Sequence, residues 1–231
     1  MKLFFTAIMA AFACGTASAG TIVGVVRAEG KAGTGVDSSA GGAYASRKYE
    51  FVQKVDYSAM HDFVVYIEGP VGTNNAPATN VVSVETKRIA QQSAVFTPHV
   101  LPVLVGTTVE WPNEDTIYHN VFSMSDAKQF DLGLYKGDPT NKCVTFDKHG
   151  RVDVFCSIHE NMHCIVLVLE NPYFAATDED GHYKIYGVPA GTYKLKAWQE
   201  RLPADEMEIT VPADGEVKAD FTLGIKKLPQ Y

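Results

Sequence analysis

The amino-acid sequence predicts an all-β protein built from antiparallel sandwiches. After residue 20 no segment keeps a helical period, and short β-branched and aromatic runs are separated by Gly, Pro, Asn and Asp. With 231 residues, of which 46% are hydrophobic and 20% charged, the chain can form one large domain or two small ones. Strands of this length and spacing are typical of two sheets packed face to face.

Residues 1–19 predict a secretory signal peptide. Lys2 precedes an apolar run that is too short to span a membrane, and Ala17-Ser18-Ala19 forms a small-x-small cleavage motif. Cys14 leaves a lipoprotein anchor as the less favoured alternative. We therefore expect an exported, periplasmic protein whose mature chain has no transmembrane segment. The net charge of −7 argues against nucleic-acid binding and suits a basic protein partner.

The mature chain divides into three stretches. Residues 20–80 form an N-terminal β segment, with predicted strands at 21–27 and 63–68 and a small-residue loop at 30–45. The strand signals then become denser. In residues 81–171 the predicted strands span residues 81–86, 94–96, 100–105, 107–111, 120–123, 143–146, 152–155 and 164–169.

Turn signals mark the remaining connections. The polar stretch 123–143, which contains Gly and Pro, is predicted to cross between the two sheets. In residues 172–231, Asp180-Gly181 predicts a tight turn. We interpret Asp178 and Asp180 as turn residues rather than calcium ligands, because no loop with further oxygen ligands follows them. Predicted strands at 209–211 and 217–223 close the segment.

A metal-ligand constellation lies in the segment that contains Cys156, His159 and Met162. One thiolate, two imidazoles and a weak axial thioether form the ligand set of a blue-copper site. His119, on a distant strand, can supply the second imidazole. Because this set leaves no position open for a substrate, we expect a one-electron carrier and not an enzyme.

The mature chain retains three cysteines, Cys143, Cys156 and Cys164, which is an odd number for a protein in an oxidising compartment. If Cys156 binds the metal, Cys143 and Cys164 are left to form a disulfide, which requires Cα atoms within about 7 Å. A zinc site made of these three thiols and His159 is chemically possible. It lacks a Cys-x2-Cys pair and leaves the other candidate ligands unexplained.

Residues 81–171 resemble the cupredoxins of the plastocyanin and amicyanin types. The resemblance rests on the segment 105–111 with Asn113 and Asp115, on the segment 119–121, and on the segment 155–162. It implies a Greek-key β-sandwich.

The resemblance also implies one type 1 copper ion bound by His119, Cys156, His159 and Met162. It further implies a hydrogen bond from Asn120 across to Ser157 that ties the ligand loops together, and electron transfer with a redox protein partner. The sequence leaves open the identity of that partner and the oligomeric state.

Residues 172–231 resemble carboxypeptidase regulatory-like, transthyretin-like β-domains through segments 177–183 and 187–193. Such domains begin with a strand similar to residues 20–26. The resemblance therefore implies that the N-terminal segment completes this smaller sandwich, with the cupredoxin domain inserted. The combination is similar to plastocyanin-like proteins of methylamine utilisation systems.

Two other functions stay open: a copper-binding or copper-delivery protein, and a non-redox interaction module. A multicopper enzyme is disfavoured, because the sequence contains no His-Cys-His pattern. The other histidines are interpreted as structural or surface residues without identified partners. They are His61, His99, His149, His163 and His182.

Overall fold

The computed structural model describes residues 19–30, 56–71, 86–137 and 142–224. Within these ranges the chain forms β-strands, turns and one short 3-10 helix, Tyr57–Ala59, which confirms the all-β prediction. Most of the predicted signal peptide, the predicted loop at 30–45 and most of the predicted strand at 81–86 lie outside the described residues. In the part that is described, no helix has both the length and the apolar character needed to cross a membrane.

The strands of the described chain are numbered in sequence order. They are β1 (Ala19–Glu29), β2 (Val64–Ile67), β3 (Lys87–Arg88), β4 (Ala90–Gln92), β5 (Val95–Thr97), β6 (Val100–Leu104), β7 (Thr108–Glu110), β8 (His119–Ser125), β9 (Lys128–Tyr135), β10 (Cys143–Thr145), β11 (Gly150–Phe155), β12 (His163–Leu169), β13 (Phe174–Ala176), β14 (His182–Pro189), β15 (Gly191–Gln199), β16 (Leu202–Val211), β17 (Glu216–Lys218) and β18 (Phe221–Gly224).

Strands β3 to β12 form the first unit, a sandwich of two sheets. One sheet has five strands in the order β6-β12-β11-β8-β9, and the other has three in the order β10-β7-β3. Their inward side chains alternate with outward ones and meet in one hydrophobic cluster, which includes Val109 and Val144 from one sheet and Val121 and Val154 from the other. Strands β4 and β5 form a hairpin beside this core, and Phe96 of β5 is buried in it.

Strand β9 corrects the sequence prediction for residues 123–143. This stretch is not only a connection, since β9 pairs antiparallel with β8 at the edge of the five-stranded sheet. Phe130 and Leu132 pack against the core, while Asp131 between them is exposed. Gly133, whose φ of 68° lies in the left-handed region, interrupts the alternation that would otherwise predict a strand.

The second unit combines strands from both ends of the chain. Strand β1 pairs antiparallel with β14 and parallel with β17 and β18, while β2 lies between β13 and β15. Ile22, Phe63, Leu195 and Phe221 are buried together in its core. The first unit is thus inserted in the chain between β2 and β13.

At Gly24 a Cβ atom would lie 1.8 Å from the carbonyl oxygen of Ala219, so the close approach of β1 to the residues between β17 and β18 requires glycine.

A third hydrophobic cluster joins the two units. Ile165 and Leu167 of β12 pack with Val64 of β2, and Trp198 of β15 lies against the same cluster. The guanidinium group of Arg151 stands 5.8 Å from the ring centre of Trp198, which adds a cation–π contact across the boundary. The outer face of the five-stranded sheet is therefore covered by the second unit.

Candidate metal centre

The candidate copper ligands come together because β8 and β11 are neighbours in the five-stranded sheet. His119 begins β8, and Cys156 directly follows β11. Phe155 pairs with Phe122 across these strands, which brings their ends to the same edge of the sandwich. His159 and Met162 lie in the turn that leads from β11 to β12.

Three ligand atoms converge at this edge. Nδ1 of His119 lies 3.0 Å from Nδ1 of His159, and Sγ of Cys156 lies 3.6 Å from the same nitrogen of His159. One ligand atom from each of the three residues lies within 4.8 Å of the others. His119 is fully buried and Cys156 is buried, whereas His159 is partly exposed. The predicted imidazole, thiol and imidazole are therefore assembled at one point.

Asp115 orients the buried imidazole. Its Oδ2 atom lies 2.8 Å from Nε2 of His119. The backbone N–H groups of Ser93 and Ala94 donate to the same carboxylate at 2.7 and 2.9 Å. Chiefly because of the Ala94 hydrogen bond, with the His119 contact contributing, the pKa of Asp115 is lowered and its carboxylate stays charged.

The donor set fits a soft or borderline cation such as copper. With the Nε2 proton of His119 assigned to the Asp115 contact, its Nδ1 atom carries a lone pair directed at His159. Two imidazole nitrogens and a sulfur at this separation repel one another unless a proton or a metal ion lies between them. Imidazole and thiolate together are typical ligands of blue-copper and zinc sites.

Backbone hydrogen bonds fix the ligand loop. The N–H of Cys156 donates to the carbonyl of Met162 at 3.1 Å, and the N–H of Met162 donates to the carbonyl of His159 at 3.1 Å. The backbone N–H of Asn120 donates to Sγ of Cys156 at 3.5 Å. The Met162 side chain is 1% exposed and belongs to the same hydrophobic cluster as Cys156. Met162 is thus held on the interior side of the loop.

The predicted hydrogen bond between Asn120 and Ser157 is wrong. The side-chain amide of Asn120 donates to Oδ1 of Asp131 at 2.7 Å instead, and Ser157 is exposed. No hydrogen bond joins the two residues in the part of the chain that the structure describes. The physical reason is the unpredicted strand β9, because it places Asp131 beside Asn120. The link from residue 120 to the thiol is made by the backbone N–H.

Sequence reasoning missed the positioning roles of Asn113 and Asp115. The buried amide of Asn113 donates to the carbonyls of Ile117 and Tyr135 at 2.9 and 3.0 Å, and its Oδ1 atom accepts from the N–H of Asp115 at 2.9 Å. These contacts shape the loop that precedes His119. The signal available in the sequence was the Asn-x-Asp spacing of a local side-chain turn, followed four residues later by the histidine.

The predicted disulfide between Cys143 and Cys164 is also wrong, since the structure forms no bond between them. Cys143 lies on β10 of the three-stranded sheet, where it pairs with Glu110. Cys164 lies on β12 of the five-stranded sheet and is completely buried. The two thiols therefore belong to opposite sheets. Burial raises the pKa of Cys164 well above its usual value, which makes it an unreactive thiol.

The zinc alternative also finds no support in the geometry. Within the described residues, the candidate metal group that contains Cys156 and His159 includes His119 and neither of the other two cysteines.

The remaining histidines do have partners, contrary to the sequence interpretation. Each contacts a carboxylate: His61 with Asp62, His99 with Glu200, His149 with Glu170, His163 with Asp153 and His182 with Asp178. As expected, Asp178 acts as a turn residue, because its Oδ1 atom accepts from two backbone N–H groups.

Comparison with known proteins gives matches to parts of the chain. The family model of polysaccharide lyase family 4, domain II, matches residues 169–219. This family differs from the carboxypeptidase regulatory-like domains to which the sequence resemblance pointed, and the match covers only the C-terminal part. No curated protein matches the chain.

Among solved structures, the chain is similar to the Cu-containing nitrite reductase NirK from Thermus scotoductus SA-01. The identity is 28% and the TM-score 0.35, over 38% of this chain and 23% of that one. A Cu(I) amicyanin mutant is 20% identical with a TM-score of 0.33, over 45% of this chain and 97% of that one. A purple cupredoxin from Nitrosopumilus maritimus is 24% identical with a TM-score of 0.31, over 36% and 98%. Each of these three similarities covers less than half of this chain.

Proposed function

We propose that this protein binds one copper ion through His119, Cys156, His159 and Met162 and carries single electrons. The observation that supports this most strongly is the convergence of two Nδ1 atoms and one Sγ atom at separations of 3.0 and 3.6 Å. Copper in such a ligand set supplies a Cu(II)/Cu(I) couple. The chain itself would provide rigidly held ligands and one ligand that reaches the surface.

The chain contributes rigidity. Strand pairing fixes His119, and Asp115 holds its ring. Two backbone hydrogen bonds hold the loop from Cys156 to Met162, and the backbone N–H of Asn120 donates to the thiol of Cys156. Ligands that are held in this way move little when the charge of the bound ion changes, which favours fast electron transfer. In the proposed site four side chains complete the ligand set and leave no position for a substrate, so the proposed function is that of a carrier and not of an enzyme.

The chain also contributes a path to the surface. Of the four proposed ligands, three are buried and only His159 is partly exposed. Apolar side chains next to the ligands in sequence are also exposed, at 46% for Ile117, 54% for Tyr118 and 51% for Ile158. We infer that electrons enter and leave through His159, and that these side chains contact a redox protein partner. The proposed location is the periplasm, which rests on the signal peptide indicated by residues 1–19.

Voltammetry of the copper-loaded protein tests the carrier function. A reversible one-electron wave, together with reduction by an added redox protein, is the expected result. A protein that holds only Cu(I), stays colourless and passes the ion to a chelating acceptor would instead support copper delivery. Binding without a reversible wave would contradict the carrier.

A further inference from the structure

We propose that His99, His163 and Glu200 bind a second metal ion at the boundary between the two units, and that this ion is a borderline divalent cation such as zinc. The site shares no ligand with the copper centre. It therefore goes beyond electron transfer and is independent of whether that proposal is right.

The three side chains come from three separate elements. His99 directly precedes β6, His163 begins β12, and Glu200 lies in the turn between β15 and β16. One ligand atom from each lies within 4.8 Å of the other two. Nε2 of His99 is 2.8 Å from Oε2 of Glu200, and the two imidazole rings are 5.5 Å apart. Residues of both units thus meet at one point.

Both ring nitrogens of His99 face oxygen atoms that accept hydrogen bonds. Its Nδ1 atom lies 3.2 Å from the carbonyl oxygen of His163, while its Nε2 atom faces the carboxylate of Glu200. Both neighbours are acceptors, whereas a neutral imidazole carries only one N–H group. If Nδ1 donates to the carbonyl, Nε2 directs a lone pair at a carboxylate oxygen. A metal ion that replaced this contact would bind to both atoms once they separated to about 3.4 Å.

His163 is held in a similar way. Its Nε2 atom lies 3.1 Å from Oδ1 of Asp153, a contact that leaves the other ring nitrogen available as a ligand. Its ring stacks on Phe155 at 4.7 Å. Asp153 is itself bound by Arg151 through two nitrogens. A carboxylate behind a histidine ligand is a common arrangement around metal ions in proteins.

The ligand set indicates the class of ion. Two imidazoles and one carboxylate, with a further position left for water, are found in zinc sites. Donors that share a tetrahedral ion at about 2.1 Å lie about 3.4 Å apart, so side-chain movements of up to about 1.5 Å close the site. The side chains of His99, His163 and Glu200 are 35%, 25% and 19% exposed, so an ion can reach them from solvent.

The position of the site suggests what the ion would do. It would connect β6 and β12 of the first unit to the β15–β16 turn of the second unit, beside the apolar cluster that joins them. His163 also follows Met162 directly in sequence, and its stacking partner Phe155 directly precedes Cys156. A metal ion here would therefore stiffen the contact between the units next to the copper-ligand loop.

Calorimetric titration of the copper-loaded protein with Zn²⁺ tests the proposal, with the visible spectrum recorded to show that copper is retained. We expect one Zn²⁺ per chain and a higher melting temperature. His99→Ala and, separately, Glu200→Gln each remove a proposed ligand and should weaken binding by at least about tenfold, since losing even a partner behind a ligand costs that much. His149→Ala is the matched control, because His149 pairs with Glu170 at 3.2 Å in a His–Glu pair that lies outside the candidate metal groups.

The same titration in the Cys156→Ala chain separates this proposal from the copper proposal. Zn²⁺ binding that still depends on His99 and Glu200 would support the second site even if the copper assignment failed. In that chain Co²⁺ should give d–d absorption bands without sulfur charge transfer. Zn²⁺ binding that is absent, or that is equally strong in the His99→Ala and Glu200→Gln variants, would overturn the proposal.

Discussion

The two β units are built by the same alternation of buried and exposed residues, but they differ in what they bury. Among the described residues, six of the eight buried polar side chains lie in the first unit. They are Gln91, Thr107, Asn113, His119, Asn120 and Ser123. The second unit is almost entirely apolar inside. Because buried polar groups are destabilising unless hydrogen-bonded, their concentration in one unit distinguishes the unit that holds the candidate metal centre.

Two of these buried polar side chains, Gln91 and Asn113, form a hydrogen-bond network with Tyr135 that reaches the loop before His119. The amide of Gln91 donates to the hydroxyl of Tyr135 at 2.6 Å, and that hydroxyl donates to the carbonyl of Trp111 at 2.6 Å. Asn113 donates to the backbone of the same tyrosine and to the loop before His119. The network thus fixes the loop that carries one ligand. The following changes test whether stability and metal chemistry are divided between the units in this way.

The largest change in stability is expected in the second unit. Leu195 is completely buried in its core, so Leu195→Ala should destabilise the protein by about 2–5 kcal/mol through the cavity it leaves. The copper spectrum of the protein that remains folded should not change. Denaturant unfolding followed by fluorescence, in parallel with visible absorption, measures both. A changed copper spectrum in the folded variant would show that the site depends on the second core.

The largest change in copper affinity without loss of a ligand is expected at Asp115. Asp115→Ala removes the acceptor that holds His119 and frees two backbone N–H groups. Affinity for Cu(II) should fall about 10- to 100-fold, as measured by competition with a chelator. Asp147→Ala is a suitable control, since Asp147 forms an exposed ion pair with Lys128 in the same unit. Equal affinities of the two variants would remove Asp115 from the site.

A smaller change is expected at Met162. Met162→Leu conserves volume in a buried position, so the destabilisation should stay below about 1.5 kcal/mol. The protein should still be coloured, because the thiolate is retained. Loss of a weak axial donor disfavours Cu(II), so the reduction potential should rise. An unchanged potential in voltammetry would show that Met162 is not a ligand.

The smallest effect is expected from an ion pair of the second unit. Lys194 and Lys196 lower the pKa of Glu68 from 4.5 to about 2. Because the folded pKa is depressed, the stabilisation is fully present above about pH 4.5 and is lost as the pH falls toward 2. Glu68 is 35% exposed, so Glu68→Gln should lose less than about 1 kcal/mol at neutral pH. Urea unfolding at neutral pH and near pH 2 should show a difference from the unsubstituted protein only at neutral pH.

Most of the strands could be predicted from the sequence, because their side chains alternate between a core and a solvent-exposed surface. Strand β9 could not, since Gly133 and the turn residues around it conceal the alternation. Three ligands of the candidate site could be inferred from their spacing on one loop, and the fourth from its chemistry. The placement of Cys143 and Cys164 on opposite sheets depends on strand pairing, which local sequence does not determine.

Contacts between distant segments could not be predicted from the sequence. His99 and Glu200 are 101 positions apart and meet only because the second unit packs on the five-stranded sheet. Asp115 is close to His119 in sequence, but its role depends on the loop shape set by Asn113. Candidate ligands that lie close together in one segment can therefore be predicted from the sequence. Groups of side chains that packing brings together from distant segments become apparent only in the folded structure.

Visible absorption shows whether Cys156 is the thiolate ligand of a copper ion. Addition of one equivalent of Cu(II) to the purified protein should produce an intense thiolate-to-copper band. The same addition to the Cys156→Ser protein should produce none, while Cys164→Ser should retain the band because Cys164 is buried on β12 away from the candidate metal group. An identical spectrum for the unsubstituted and Cys156→Ser proteins would show that Cys156 is not the copper ligand.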